Sequence, residues 1–364
     1  MIARGARLPS THFYRVASSY DTMRTIDWDD EKSCIRIIDQ TALPERLVIK
    51  DICDPEALQE AILTLRVRGA PALGAAGGYG VALLARTIGP MRLPDFVIEL
   101  KAAAERLKKT RPTAVNLAWG VERTLARALT GRDLEEITGL ALAEARAIAD
   151  DDVARCQAIG KHGADLLKDG ATVMTHCNAG RLACVDWGTA LGIVRSAVAE
   201  GKRVRVFACE TRPLNQGSRI TAWELAEDGI PVTLIADSMA GHVMRDRGVD
   251  AVIVGADRIV EDAVFNKIGT YGLSVLAKAH GVPFYVAAPL STFDFEHRER
   301  DVVVEQRDPD ELCLCGGRRL APACVPVLNP AFDATPMANV TAIVTELGVL
   351  RPPFDFRAIR QKLK

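Results

Sequence analysis

Two residues of complementary chemistry stand at the ends of short apolar runs. Cys177 closes the run in "ATVMTHCNAG" (Ala171 to Gly180), and Asp257 closes the run in "VGADRI" (Val254 to Ile259). Each run reads as a buried strand. Ligands of open α/β sheets bind at the carboxyl ends of the strands. A thiol and a carboxylate delivered to that edge can hand protons to and from a bound molecule. Asn178, Ala179 and Gly180 offer backbone N–H groups, which would hold a Cys177 thiolate below the usual thiol pKa of about 8.5. His176 points to the opposite face of the same strand and is expected to be structural.

Around this pair lie candidate anion and hydroxyl contacts. In "VRGAPALGAAGGYG", Arg68 and Gly69 precede a helix that opens on Ala70. A helix N-terminus presents unpaired N–H groups to an anion, and an arginine adds a bidentate donor. The glycines Gly74, Gly77 and Gly78 serve equally well for close helix packing. Arg111, before Pro112 and another helix start, is a second anion contact. Gln216 sits in a polar loop where an amide can read a sugar hydroxyl, and Asn266 and Lys267 precede the helix around Tyr271.

These residues need a scaffold. "IRIIDQ" and "ERLVIK" read as early strands, and Asp54-Pro55 is a helix start. Helical segments follow from about Pro71, Leu93, Ala114 and Asp133. After "ADDD" (Ala149 to Asp152), which reads as a hinge or a solvated helix face, the pattern changes. Apolar runs at Thr172, Val204, Val232, Ala251 and Phe284 alternate with helices over Gly188 to Ala199, Ile220 to Glu227, Met239 to Arg245 and Tyr271 to His280. That alternation predicts an α/β fold with a doubly wound, mostly parallel sheet. The expected division is a mainly helical N-terminal domain with short strands over 23–150 and a Rossmann-like catalytic domain over 151–364. The strand ends Glu210 and Asp237 are explained by capping as well as by chemistry.

Composition bounds the function. The 364 residues suffice for two or three domains, and a formal charge of −1 gives no basic field for nucleic acid or an anionic membrane. No apolar run approaches the roughly 18 residues of a membrane span. Nine scattered cysteines, an odd number, argue against a disulfide framework and for a reducing compartment. Cys313 and Cys315 form a lone C-x-C without a partner pair, which disfavours a metal site; no ligand spacing surrounds Cys177 either. Cys156 and Cys209 read as buried fillers. Residues 1–22, acid-free with Arg4, Arg7 and Arg15, read as a disordered tail or an extended start ahead of Met23 in preference to a transit peptide.

Taken together, "RGAPALG", "RPTAVNL", "THCNAG", "ETRPLNQG", "TAWEL", "GADRI", "NKIGTY", "PFYVAAPLSTFD" and "NPAFDATP" occur in the order seen in methylthioribose-1-phosphate isomerases. The chain resembles that family from about Met23 to about Phe354. The wider superfamily holds regulatory subunits of the translation-initiation exchange factor and ribose-1,5-bisphosphate isomerases. The resemblance implies a cytoplasmic homodimer that converts 5-methylthioribose 1-phosphate to 5-methylthioribulose 1-phosphate in methionine salvage, without metal or organic cofactor. It implies Cys177 and Asp257 as the catalytic pair. It implies Arg68, Gly69, Ala70, Arg111, Gln216, Asn266 and Lys267 as substrate contacts. In such a reaction Asp257 protonates the ring oxygen, which requires a raised pKa. Cys177 either carries a proton from C2 to C1 or shapes a hydride shift.

Two departures from the family pattern bear on the 5-substituent. The stretch Val260 to Phe265 is one residue short, and Arg181 stands where a small residue is common. Both loops are expected to flank the substrate, with Arg181 facing solvent. 5-Deoxyribose 1-phosphate is therefore an alternative substrate, and a non-catalytic regulatory subunit is the alternative from another class.

Overall fold

The computed structural model describes residues 23–112 and 114–362; the expected tail over 1–22 lies outside them. The described residues begin with three strands, β1 (Ile26–Asp29), β2 (Cys34–Ile38) and β3 (Ile49–Ile52), paired antiparallel in that order. Five helices follow: α1 (Pro55–Leu63), α2 (Ala70–Thr87), α3 (Leu93–Lys108), α4 (Val115–Ala128) and α5 (Leu134–Ala164). Asp54 caps α1 by accepting from the Ala57 N–H, with Pro55 in the first turn, and Asp133 caps α5 likewise. Helix α2 is buried almost throughout. Its small residues let α4 approach: a Cβ on Gly77 would stand 2.5 Å from the Leu117 carbonyl oxygen, and one on Gly120 only 2.0 Å from that of Gly74. Close packing is thus what the α2 glycines do.

The second half alternates as expected. It runs β4 (Thr172–Thr175), α6 (Ala190–Ala199), β5 (Arg205–Cys209), α7 (Ala222–Glu227), β6 (Val232–Ile235), α8 (Ala240–Arg247) and β7 (Ala251–Val254). Then come β8 (Arg258–Ile259), β9 (Ala263–Lys267), α9 (Thr270–Ala279), β10 (Phe284–Ala287), α10 (Pro309–Cys313), β11 (Leu314–Cys315) and β12 (Arg318–Arg319). The chain ends with β13 (Phe332–Pro336), β14 (Ala342–Thr345), β15 (Gly348–Leu350) and α11 (Phe356–Gln361). The main sheet has seven strands in the order β15-β14-β10-β7-β4-β5-β6. All its pairs are parallel except β14 with β15. Side chains of the central strands alternate between two cores, as the pleat requires. Val252 and Val254 pack with α8, α9 and α11, whereas Ala251 and Ile253 pack with α6 and the end of α5. Burial on both faces explains why these strands read as unbroken apolar runs.

Neither the backbone nor every core follows the expected division at 150/151: Val185 packs in the first core, and Leu182 and Ile220 join Ile38 and Leu43. Helix α5 runs 31 residues without a break across "ADDD", packing on α2 and α4 on one side and on α6 and β14 on the other. That segment is a helix face and not a hinge, and Asp152 points inward from it. A small antiparallel sheet, β13-β9-β8, stands beside the main one.

Candidate active site

Strand β4 is the topological switch point of the sheet. The chain continues to β5 and β6 on one side of it and to β7, β10 and β14 on the other. A crevice opens beyond the carboxyl ends of such neighbouring strands. Cys177 lies two residues past β4 and Asp257 three past its neighbour β7, so the two face one cavity across that crevice. The same cavity is lined by Arg68, Gly69, Ala70, Arg111, Gln216, Asn266 and Lys267. The fold thus brings all nine sequence candidates together. Asn266 and Lys267 arrive on the end of β9 and not on a loop.

Cys177 adopts a left-handed backbone conformation, φ 63°, which a residue with a Cβ holds only when its surroundings enforce it. Three threonine contacts do so. The Cys177 N–H donates to Thr211 Oγ1 at 2.8 Å. The Thr221 hydroxyl donates to the Cys177 carbonyl at 2.6 Å, and the Thr211 hydroxyl donates to the Cys209 carbonyl. Asp237 accepts the backbone N–H groups of Thr211 and Arg212. It therefore braces the neighbouring loop. His176 is buried, its Nε2 2.8 Å from the Ile268 carbonyl, in keeping with a structural role.

Next in line, Asn178 ties the loop to the cation. Arg68 donates two bonds of 2.8 Å to it, one to the side-chain oxygen and one to the carbonyl. The Asn178 amide donates in turn to Glu224 Oε1 at 2.7 Å. Glu224, fully buried, also accepts from the Leu182 N–H and lies 3.3 Å from the Arg195 guanidinium. This buried carboxylate within "TAWEL" escaped the sequence reading. Its only signal was an acidic residue inside an otherwise apolar helix turn. A Cβ on Gly180 would overlap Glu224 Oε1, so that glycine makes room for it.

The cavity is electrostatically mixed. Arg68, Arg111 and Lys267 bring positive charge, and Arg111 lies 3.8 Å from Glu305. Glu305 and Arg307, both on the cavity wall and ion-paired at 3.0 Å, were not foreseen; they come from a long arm with little regular structure. Lys267 donates to the Ala331 carbonyl at 3.0 Å. The Gln216 side-chain oxygen is buried at the cavity wall without a hydrogen-bond partner among the described residues. At the mouth of α2, Gly69 has φ 96° and its Cβ would stand 2.2 Å from the Ala183 carbonyl oxygen. Only glycine fits there, and the first residues of α2, Ala70 and Pro71, then line the cavity.

Protonation differs from expectation at one of the two reactive groups. Burial pushes the Asp257 carboxyl up, against the opposing charges of Lys267, Arg68 and Arg111. Asp257 is itself exposed to the cavity, so the upward push comes from the protein packed around the cavity and not from enclosure of the side chain. Burial also pushes the Cys177 thiol up. Arg68, Lys267 and the Asn178 N–H pull the other way without prevailing, so the expectation of a depressed thiol is overturned by desolvation.

The family departures lie off the cavity except at Phe265. Arg181 is buried, not solvent-facing, with Nε 2.7 Å from Asp186. The short stretch forms the tight β8–β9 turn, in which the Val260 N–H donates to the Ala263 carbonyl. Of Val260 to Phe265, only Phe265 reaches the cavity.

Known proteins share this architecture. The model of the initiation factor 2 subunit family matches residues 66–352. A methylthioribose-1-phosphate isomerase from Syntrophotalea carbinolica is 52% identical over 334 residues, 91% of this chain and 96% of its own. A 5-deoxyribose 1-phosphate isomerase from Moorella thermoacetica is 50% identical over 340 residues, 92% of this chain and 96% of its own. A crystal structure from A. fulgidus described as translation initiation factor eIF-2B, subunit delta, superposes with a TM-score of 0.86 at 57% identity, covering 93% of this chain and 100% of that one. The 5-methylthioribose 1-phosphate isomerase of Pyrococcus horikoshii OT3 also gives 0.86, at 44% identity, over 94% of this chain and 95% of that one.

Proposed function

The chain belongs to the initiation factor 2 subunit family, and we propose that it is the aldose–ketose isomerase of methionine salvage acting on 5-methylthioribose 1-phosphate. One observation carries the reading: a thiol and a carboxyl face each other at the switch point of the sheet, inside a cavity that also holds Arg68, Arg111, Lys267 and the N-terminus of α2. A non-catalytic regulatory subunit would need neither reactive group.

The chemistry follows from the substrate. A phosphate on the anomeric oxygen blocks the ring opening available to a free aldose. An acid must protonate the ring oxygen, and Asp257, whose carboxyl is pushed up by the surrounding protein, is the group placed to do so. The phosphate binds Arg68 and the α2 N-terminus, while Arg111 and Lys267 neutralise charge that develops nearby. Gln216, with an unpaired oxygen at the wall, accepts a bond from a sugar hydroxyl; Asn266 completes the hydroxyl contacts. Cys177 then acts at C2 and C1, where a hydrogen must move. A proton carried by Cys177 and a hydride shifted beside it both satisfy the balance. Appearance of solvent deuterium at C1 of the product identifies the proton route.

A second substrate has a specific warrant, the 50%-identical relative named for 5-deoxyribose 1-phosphate. Of the two family departures only Phe265 touches the cavity, and an apolar ring there is compatible with the methylthio group. We further propose a cytoplasmic homodimer; nine free cysteines suit a reducing compartment, and sedimentation as a monomer at working concentration would refute the dimer. The deciding experiment is phosphorus NMR of the protein with 5-methylthioribose 1-phosphate and, separately, with 5-deoxyribose 1-phosphate. Isomerisation converts an anomeric phosphate into a primary monoester without releasing free phosphate. Conversion of either names the substrate, and conversion of neither would turn the reading toward a regulatory subunit.

A further inference from the structure

Behind the wall of the cavity lies a cluster that the isomerase chemistry leaves unused. Asp152 and Cys156 project from α5, and Cys184 follows the loop that carries Cys177. The two sulfurs and a carboxylate oxygen lie within 4.8 Å of one another. Cys156 Sγ donates to Asp152 Oδ1 at 3.8 Å, while Asp152 Oδ2 accepts from the Val185 N–H at 2.6 Å. Both thiols are about 1% exposed, and Cys184 belongs to the cavity wall, which is the side from which a small oxidant would have to approach.

We propose that Cys156 and Cys184 form an oxidisable dithiol, with Asp152 as its base, that closes to an internal disulfide on reaction with a hydroperoxide. Cys184 Sγ attacks the distal peroxide oxygen, the O–O bond breaks, and Cys184 becomes a sulfenic acid while the proton leaves with the alcohol or water. Cys156 passes its proton to Asp152 and attacks Cys184 Sγ. The S–S bond forms, the S–O bond breaks, and hydroxide takes the proton from Asp152 to leave as water. Two thiols lose two electrons and two protons, and the hydroperoxide is reduced to an alcohol, or water, plus water.

Supporting groups are matched to these steps. Burial raises the Asp152 carboxyl to about 7, which suits a group that takes and returns a proton near neutrality. Its hydrogen bond with Cys184, then burial, push the Cys156 thiol well up. For Cys184 the same bond works downward, and burial with the Asp152 charge carries it up on balance. The pair is therefore quiet as thiols and depends on Asp152 for activation. The inference does not rest on the substrate assignment, since no sugar takes part.

Trypsin separates the relevant thiols: Cys156 falls in the peptide 156–161, Cys184 in 182–195 and Cys177 in 169–181. The full chain carrying Cys177→Ser, reduced and then treated with hydrogen peroxide, should yield peptides 156–161 and 182–195 joined and two mass units lighter than their sum. Dithiothreitol should part them. Cys156→Ser or Cys184→Ser should abolish the joined species, and Asp152→Asn should slow its formation at least tenfold at neutral pH. If both thiols stay alkylatable, or if Cys184 is found as a sulfinic acid beside a free Cys156, the proposal fails. Peroxide applied in denaturant supplies the control, because the fold should make this pair close ahead of all others.

Discussion

Cys177 and Asp257 make the sharpest claims at the scale of single residues. Cys177→Ala and Asp257→Asn should each reduce turnover by at least a thousandfold, within reach of losing one general acid or base, with circular dichroism unchanged. An active variant at either position would overturn the pair. Glu224 tests the positioning layer. In Glu224→Gln an N–H group faces the Leu182 N–H, the Asn178 amide or Arg195, which costs about 1–3 kcal/mol as an unsatisfied buried contact. The loss should appear mainly in kcat if Asn178 and Arg68 drift from their transition-state positions, whereas a uniform loss of stability with normal kinetics would show a purely structural role. Asp152 gives a pH signature. Its carboxyl is raised from 3.8 to about 7 in the folded chain, so across that window the unfolded state releases a proton that the folded state keeps. Stability contributed by this group is complete below the ordinary carboxylate range and is lost as pH rises to about 7. Asp152→Asn should therefore raise the melting temperature relative to the parent at pH 8 but not at pH 4; equal differences at both would contradict the burial argument.

At the scale of elements, what was legible in the sequence followed from local grammar. Apolar runs buried on both faces announced β4, β5, β7 and β10, and their ends placed Cys177 and Asp257 correctly without any tertiary knowledge. Other features rest on distant partners. Glu224 meets Asn178 across 46 residues, Arg181 is neutralised by Asp186 through a loop whose path no periodicity encodes, and β14 hid in "VTAIVTELGVL" because its pairing with β10 is set only in the assembled sheet. The thiol pKa failed for a related reason: backbone donors are visible in "CNAG", but the depth of the site is not. Gly69 at the head of α2 is the element most open to test. Gly69→Ala must hold a Cβ at φ 96° against the Ala183 carbonyl, a strain of about 1–3 kcal/mol or more. It should lower the melting temperature and raise KM, since the helix terminus would be pushed from the phosphate. A normal KM would separate α2 from substrate binding.

At the scale of the whole molecule the two cores share one rod. Helix α5 contributes Ala141 and Ala145 to the first core and Ile159 and Ala164 to the second. Fragments 23–150 and 151–362, made separately, should each fail to unfold cooperatively, while the intact chain unfolds in one calorimetric transition; two independent transitions would contradict the shared helix. At 31 residues the rod is about 46 Å long. Its stiffness also dictates how a guest gets in and out. A clam-shell enzyme needs a soft joint between its leaves, and the place where one would sit is occupied by unbroken helix. Traffic through the cavity then falls to the arm between β10 and β13, which lines it with Val302 to Glu305 and Arg307 and is tied to the helical half by the ion pair of Glu305 with Arg111.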